Sequence, residues 1–581
     1  MAHLVPADDR GPAASQLGGP VLAAGHALTS GMYFTLAVSA PDAAACSELT
    51  RRACAADPRA LPIPGLPRVA WRSPNGRAAL LTWGPDGAAG VSRSAQGTIR
   101  VSDEAGGTVI AATSVCRVDP VYLARIRRAV LVSDRASWAA AVAGRLGTPD
   151  PLLYAGVLGP GYPLGAVTPF AGVQALAPGT SGRALGGVFA QGQRSPLSEP
   201  GSGGQDGAAR VAAALVEAVT PLRDAGRPVE LSLTGGKDSR LIAAALAAAK
   251  VPARARTYGF PDHPDVVVAA QVARELGLEH EVAEPRTAGD AGATVQEVDV
   301  LSRLRASVLV ADGMLSAFEN VGRPDPDPDE APIAIGGHGG ELLRGGYAKV
   351  IGGSATRQRA ASAEMFRRLT MRRVPLLRTR WRAAYVAALT PWAAAVATRP
   401  GPALDDFYLV NRAGRWSAAA RQAYAIRSVL AQPFFDDQVV RAARAVPLAE
   451  RLDDRLVRGA IRALAPPLAD LPLASDQWKC PPPVPAEAVG APDGAGRARF
   501  DWRRSYGDEV AAFLRDYVLS AGAGDGLFTI VSRPAAEKLL RLPHRDPVTV
   551  WALATLATLS SGDWLNARDG GGQTFAIPVP G

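Results

Sequence analysis

Apolar positions along the chain fall into two regimes. Between about residues 28 and 195 they come in short runs closed by Pro, Gly or Asp, clearest at 33–38, 79–83 and 129–133, which predicts a β-rich region of short strands. Ser133-Asp134-Arg135 then predicts a helix over 136–143 with an Asp or Ser cap. Residues 195–207, Ser-Pro-Leu-Ser-Glu-Pro-Gly-Ser-Gly-Gly-Gln-Asp-Gly, have the composition of a linker and divide a first domain over 1–200 from a second over 208–581.

Beyond the linker the period alternates between that of a helix and that of a strand. After a helix over 208–219, Val229, Leu231 and Leu233 alternate with Glu230 and Ser232, the pattern of a strand. The run breaks at Gly235-Gly236, and an alanine-rich helix begins near Ser239 and covers 240–249. A second strand (253–260), a helix with one apolar face (266–276) and a third strand from His280 follow. A fourth strand, 332–335, runs into Gly336-Gly337-His338-Gly339-Gly340-Glu341. This βαβαβ alternation predicts an α/β fold with a parallel sheet and its ligand at the carboxyl ends of the strands. From about 355 onward the pattern is helical, with seven arginines between Arg367 and Arg382, best read as a solvated face.

Composition narrows the classes. The 581 residues, 48% hydrophobic and 20% charged, suit a multi-domain globular protein. The net charge of +9 is carried by arginine, with only five lysines among 63 basic residues, and reads as a solvated surface rather than a nucleic-acid footprint. Those scarce lysines are informative, because Lys237 and Lys349 lie in or beside the glycine-rich loops and Lys479 lies in a third candidate motif. Four cysteines (Cys46, Cys54, Cys116, Cys480) form no CxxC pair, which favours a reduced, cytoplasmic compartment. No signal-peptide pattern and no run of ~18 uncharged apolar residues is present, so neither export nor a membrane span is expected.

Strand, glycine turn and helix together present a row of backbone N–H groups to an anion. The spacing matches neither the Walker loop nor GxGxxG. Thr234-Gly235-Gly236-Lys237-Asp238-Ser239 resembles the Ser-Gly-Gly-x-Asp-Ser loop of ATP pyrophosphatases, in which the loop holds the pyrophosphate of ATP and the Asp binds Mg²⁺. Three motifs in order then resemble the asparagine synthetase family: this loop; Gly337-His338-Gly339-Gly340-Glu341-Leu342-Leu343-Arg344-Gly345-Gly346-Tyr347, similar to Gly-Glu-Gly-x-Asp-Glu-x-Phe-Gly-Gly-Tyr; and Gln432-Pro433-Phe434-Phe435-Asp436-Asp437 with the later Trp478-Lys479-Cys480. Pro169-Phe170 through Pro178-Gly179 is similar to the segment ending the family's glutaminase domain. The resemblance implies an Ntn-hydrolase-like glutaminase domain followed by an ATP-pyrophosphatase (adenine nucleotide α-hydrolase-like) domain with a helical C-terminal part. It implies ATP and Mg²⁺ as cofactors, Asp238 and Glu341 as metal ligands, and Thr234, Gly235, Gly236, Lys237, Asp238 and Ser239 as the pyrophosphate cradle. Leu233, Gly336 and Gly337 carry over as adenosine contacts, Lys479 as the cation facing charge on the α-phosphate, and His338 as the base for an attacking amine.

The departures matter as much. The family's glutaminase nucleophile is an N-terminal cysteine, whereas residues 2 and 3 are Ala and His and the first cysteine is Cys46. The first domain is therefore expected to be a degenerate scaffold, and an amine of the substrate to replace ammonia. Family members of that kind include β-lactam synthetases, carbapenam synthetase and lasso peptide macrolactam synthetases. Asp406-Phe407-Tyr408, Arg412-Ala413-Gly414-Arg415-Trp416 and Asp563-Trp564-Leu565 resemble the lasso peptide cyclases best. That resemblance implies a precursor peptide as substrate, with a leader-peptide-binding protein and a leader peptidase as candidate partners. A β-lactam synthetase-like cyclase, a silent nucleotide-binding scaffold and a tRNA-modifying pyrophosphatase are the competing readings; no zinc-type cysteine set or catalytic cysteine pair supports the last.

Overall fold

The computed structural model describes residues 28–29, 34–63, 65–84, 98–194, 205–284, 295–319, 331–348, 354–426, 428–474, 478–479, 501–521, 526–566 and 572–578. Lys349, Cys480 and the 195–204 portion of the linker lie outside them.

Two antiparallel sheets make up the N-terminal part. One has six strands in the spatial order Leu66–Arg72, Ala78–Gly84, Phe34–Ser39, Ala129–Ser133, Tyr122–Ile126, Val173–Ala175. The other has four, in the order Val188–Arg194, Thr180–Leu185, Thr108–Ala112, Thr98–Ser102. Ala37, Leu80 and Val132 meet Ile99, Val109 and Phe189 between them. The opposite face of the first sheet buries Leu36, Val38 and Leu81 with Leu49 and Trp138 of helices Ala43–Cys54 and Ala136–Ala143. The second of these helices has the expected limits but not the expected cap. Its N-cap is Arg135, with no side-chain bond, because Asp134 accepts the Thr35 N–H and Ser133 donates to the Thr35 carbonyl, so both cap candidates hold the neighbouring strand instead.

The second part is built on a parallel sheet. Its elements are β1 (Val229–Ser232), α1 (Lys237–Ala248), β2 (Ala253–Tyr258), α2 (Pro264–Glu275), β3 (His280–Ala283), β4 (Ile333–Gly336) and β5 (Val429–Ala431). The spatial order is β5-β4-β1-β2-β3, all neighbours parallel, with the short strand Leu28–Thr29 added antiparallel to β5. Leu231, Ile335 and Ala255 are buried, as are Leu241, Ile242 and Leu246 of α1, each large aliphatic side chain contributing about 1.5–3 kcal/mol. α1 starts at Lys237 rather than near Ser239, because Gly236 is the last extended residue (φ −82°, ψ 171°).

Chain beyond 354 is mostly helical, with two exceptions to the expected pattern. β5 comes from this region and completes the sheet, and Thr574–Pro578 pairs with Val295–Asp299. A three-residue strand leaves too short a period to read from sequence. Buried polar contacts hold the two parts together. Arg135 pairs with Asp312 at 2.8 Å, both fully buried, and Arg421 with Asp119 at 2.9 Å. Arg117 donates to the carbonyls of Gly414, Leu176 and Val410. No helix among the described residues is long and apolar enough to cross a membrane.

Candidate active site

In a parallel sheet the ligand crevice opens where successive connections leave in opposite directions. Here β1 leads outward to β2 and β3, while β4 lies on the other side of β1, so the crevice lies at the carboxyl ends of β1 and β4. Both glycine-rich loops emerge there.

The loop after β1 is an arch closed by hydroxyls. Thr234 N–H donates to Ser239 Oγ (3.1 Å), the two hydroxyl oxygens are 3.0 Å apart, and Gly236 N–H donates to Thr234 Oγ1 (3.2 Å). Threonine at the first loop position therefore forms the closing bond a serine would form. Gly235 N–H donates to the Asp265 carboxylate at the start of α2 (3.1 Å). Gly235 has no room for a Cβ, which would lie 2.4 Å from Ala474. Leu233 is buried, with its N–H on the Arg256 carbonyl and its own carbonyl accepting from the Thr257 hydroxyl.

The second loop threads against the first. A Cβ on Gly337 would lie 2.6 Å from the Ser239 nitrogen, and one on Gly340 would lie 2.3 Å from the Asp238 carboxyl carbon. Only glycine lets the loops approach this closely. Asp238 Oδ2 accepts from Arg344 Nη2 at 2.5 Å, while Oδ1 is buried with no hydrogen-bond partner among the described residues. Burial pushes the Asp238 pKa above the ordinary carboxylate range; Arg344 opposes this and Glu341 adds to it. Glu341 is exposed in the crevice and accepts from the Tyr408 hydroxyl at 3.3 Å. An unsatisfied buried oxygen beside a second carboxylate suits a hard cation. No group of three or more His, Cys, Asp or Glu gathers among the described residues, so a Mg²⁺ ion here would take Asp238 and Glu341 and fill its shell with phosphate and water oxygens.

His338, on the second loop, faces a set of aromatic rings. Its ring centroid is 5.5 Å from that of Phe435 and 5.9 Å from that of Trp416. Although part of its surface meets solvent, the imidazole sits low enough in the crevice for the surrounding protein to depress its pKa; Glu341 opposes the shift, and Arg412 and Arg421 add to it. It is therefore neutral at pH 7 and able to accept a proton.

The two lysines are placed differently from each other. Lys237 Nζ pairs with Asp454 at 2.9 Å, Asp454 being fully buried in a left-handed conformation (φ 68°). Asp454 also accepts the Lys479 N–H at 3.4 Å, so one carboxylate joins the Thr234–Ser239 loop to the Trp478-Lys479 segment. Lys479 Nζ, exposed, donates to the Leu452 carbonyl (3.2 Å). Sequence reasoning missed Asp454 and Asp265, which carry no local motif and reach the loop from 217 and 30 positions away. Arg344 stood inside a quoted motif, at a position where the family pattern has Phe, and that departure was its signal.

A doubly wound parallel sheet whose β1 and β4 end in interlocked glycine-rich loops defines an α/β nucleotide-binding domain of ATP-pyrophosphatase type. The sequence model of the asparagine synthase family matches residues 210–473, which include both loops and Gln432-Pro433-Phe434-Phe435 but neither the N-terminal sheets nor Lys479. Proteins of that family are ATP-dependent ligases releasing AMP and pyrophosphate, so the domain suggests ATP-dependent amide formation in general. Comparison with curated proteins finds no match.

Proposed function

We propose that this protein closes a macrolactam in a precursor peptide. It activates a side-chain carboxylate with ATP and lets the peptide's own N-terminal amine displace AMP. In the first step a carboxylate oxygen bonds to the α-phosphorus and pyrophosphate leaves. In the second the amine nitrogen bonds to the acyl carbon, AMP leaves, and the ammonium proton passes to His338 Nδ1 or Nε2. The observation that carries the reading is the interlock of Gly340 and Asp238, which holds a carboxylate with one bare oxygen beside the phosphate loop and Glu341. Mg²⁺ held by Asp238 and Glu341 would supply charge neutralisation for the leaving pyrophosphate.

The chain's own groups do the rest. The α1 N-terminus and the Gly235-Gly236 arch orient the phosphates. Trp416 and Phe435 flank the imidazole on its protein side. The N-terminal part supports a degenerate glutaminase scaffold: burial pushes the thiols of Cys46, Cys54 and Cys116 up, so none of the described cysteines is an activated nucleophile. Resemblance of the 406–416 segment to lasso peptide cyclases supports the peptide as substrate over a small β-lactam precursor. ATP–pyrophosphate exchange tests the reading. Exchange should depend on a carboxylate-bearing peptide and fall about 10²–10³-fold in Asp238→Asn. Exchange independent of any carboxylate, or undiminished in the variant, would refute it.

A further inference from the structure

A guanidinium that makes no ion pair among the described residues faces this crevice. Arg412 lies on the π-helical segment Tyr408–Ser417, which also carries Tyr408 and Trp416. Its guanidinium carbon is 3.4 Å from the Trp416 ring centroid and 5.9 Å from that of Tyr162. Stacking of this kind fixes the plane of the fork and leaves its in-plane N–H donors free. Among the described residues Arg412 makes no hydrogen bond or ion pair, although it is half-buried. Its neighbours are engaged: Arg344 with Asp238, Arg421 with Asp119, and Arg415 with the Val167 carbonyl. Taking a charge half out of water with no partner is unfavourable, so an open site there stands ready for an anion.

The same guanidinium acts electrostatically on His338, Tyr347 and Tyr408, so the anion it receives lies in the crevice that holds the candidate base. A planar fork held flat against the Trp416 ring matches a planar, bidentate anion better than a tetrahedral one. The phosphates already have their own donors in the Thr234–Ser239 arch.

We propose that Arg412 is the receptor for a substrate carboxylate, gripping it through two parallel N–H···O bonds beside Trp416. This rests on the amide-forming reading for its purpose, since the carboxylate held is the one to be activated. Once the carboxylate becomes an acyl adenylate its charge is gone, and the grip on it ends as the amine approaches.

Ligand-observed NMR on the full-length protein tests this with glutarate as probe and glutaramide as its uncharged counterpart. Aromatic protein protons are saturated and transfer to the probe is read. Transfer to glutarate is expected in the wild type, with none to glutaramide. Arg412→Gln should weaken glutarate binding about tenfold or more, Arg412→Lys should weaken it several-fold, and Arg382→Gln, on the exposed helix Thr379–Thr398, should leave it unchanged. Equal transfer to glutaramide, or undiminished transfer in Arg412→Gln, overturns the proposal. If Arg412→Gln does not fold, undiminished transfer in Arg412→Lys overturns it equally. No ATP or turnover is involved, so failure here leaves the amide-forming reading standing. Loss of ATP–pyrophosphate exchange with glutarate binding intact would remove that reading and keep the receptor.

Discussion

Adding one methyl group at Gly340 should disable the site without unfolding the protein. The backbone at Gly340 lies outside the left-handed region, so alanine meets no conformational obstacle. Its Cβ would stand 2.3 Å from the Asp238 carboxyl carbon and 2.6 and 2.7 Å from the two oxygens, where ordinary contact begins near 3.4 Å. The carboxylate must retreat by about 1 Å, which its short side chain does by rotating. A displacement of that size in a reacting constellation costs about 10² in rate. Stability should change little, because the atom displaced is the end of a side chain rather than backbone. The assay is AMP release with Mg²⁺ titrated, beside thermal unfolding of the same samples. Gly147→Ala serves as the control, since nothing lies within 4 Å of its added methyl. If Gly340→Ala turns over within about threefold of the wild type, the position of Asp238 does not govern the reaction.

His338→Ala should still form the acyl adenylate, while amide formation falls about 10²–10⁴-fold and hydrolysed linear peptide accumulates, as mass spectrometry of the products would reveal. Because burial holds the His338 pKa below its ordinary value, the acid limb of the amide step should lie below pH 6.5 and be absent from the variant. Glutamate release from glutamine should not exceed a no-enzyme blank, since all three described thiols are held protonated. Asp312→Ala leaves the Arg135 guanidinium buried without its carboxylate and should cost about 3–5 kcal/mol in denaturant unfolding; a cost below about 1 kcal/mol would refute that pairing.

Much of the nucleotide domain could be read from the sequence because its period and its punctuation agree. β1 through β4 and the helices α1 and α2 fall within a few residues of their expected places, since alternating Val and Leu, the Gly235-Gly236 break and the alanine-rich run all point the same way, whereas the helix Val300–Ala311 before β4 was not expected. The two loops were found from local residues, but their interlock was not. Nothing in Gly337-His338-Gly339-Gly340 announces that two of these glycines make room for Asp238 and Ser239. β5 stayed hidden because Val429–Ala431 is too short to carry a period, although Pro433-Phe434-Phe435 beside it was noticed. The fastening of Lys237 was equally invisible. An aspartate at 454 reads as one more surface acid until the fold buries it against Lys237 of the first glycine-rich loop. Arg412 lay within the segment compared with the lasso peptide cyclases, yet only the structure shows it half-buried against Trp416 with no hydrogen bond or ion pair among the described residues.

The pairing of Leu28–Thr29 with Val429–Ala431 has a consequence for biosynthesis. At ~5–20 residues per second, some four hundred residues of synthesis, or about 20–80 s, separate the emergence of the two strands from the ribosome. Throughout that interval the short N-terminal strand has nothing to pair with, and β4, which is made only about a hundred residues before β5, then has an open edge on the side β5 will occupy. β1, β2 and β3 can associate early, but the crevice gains its outer wall only when β5 arrives, and the antiparallel cap goes on last. Nascent chains stalled between residues 336 and 429 should therefore present a β4 edge that binds chaperones, and the full-length chain should not.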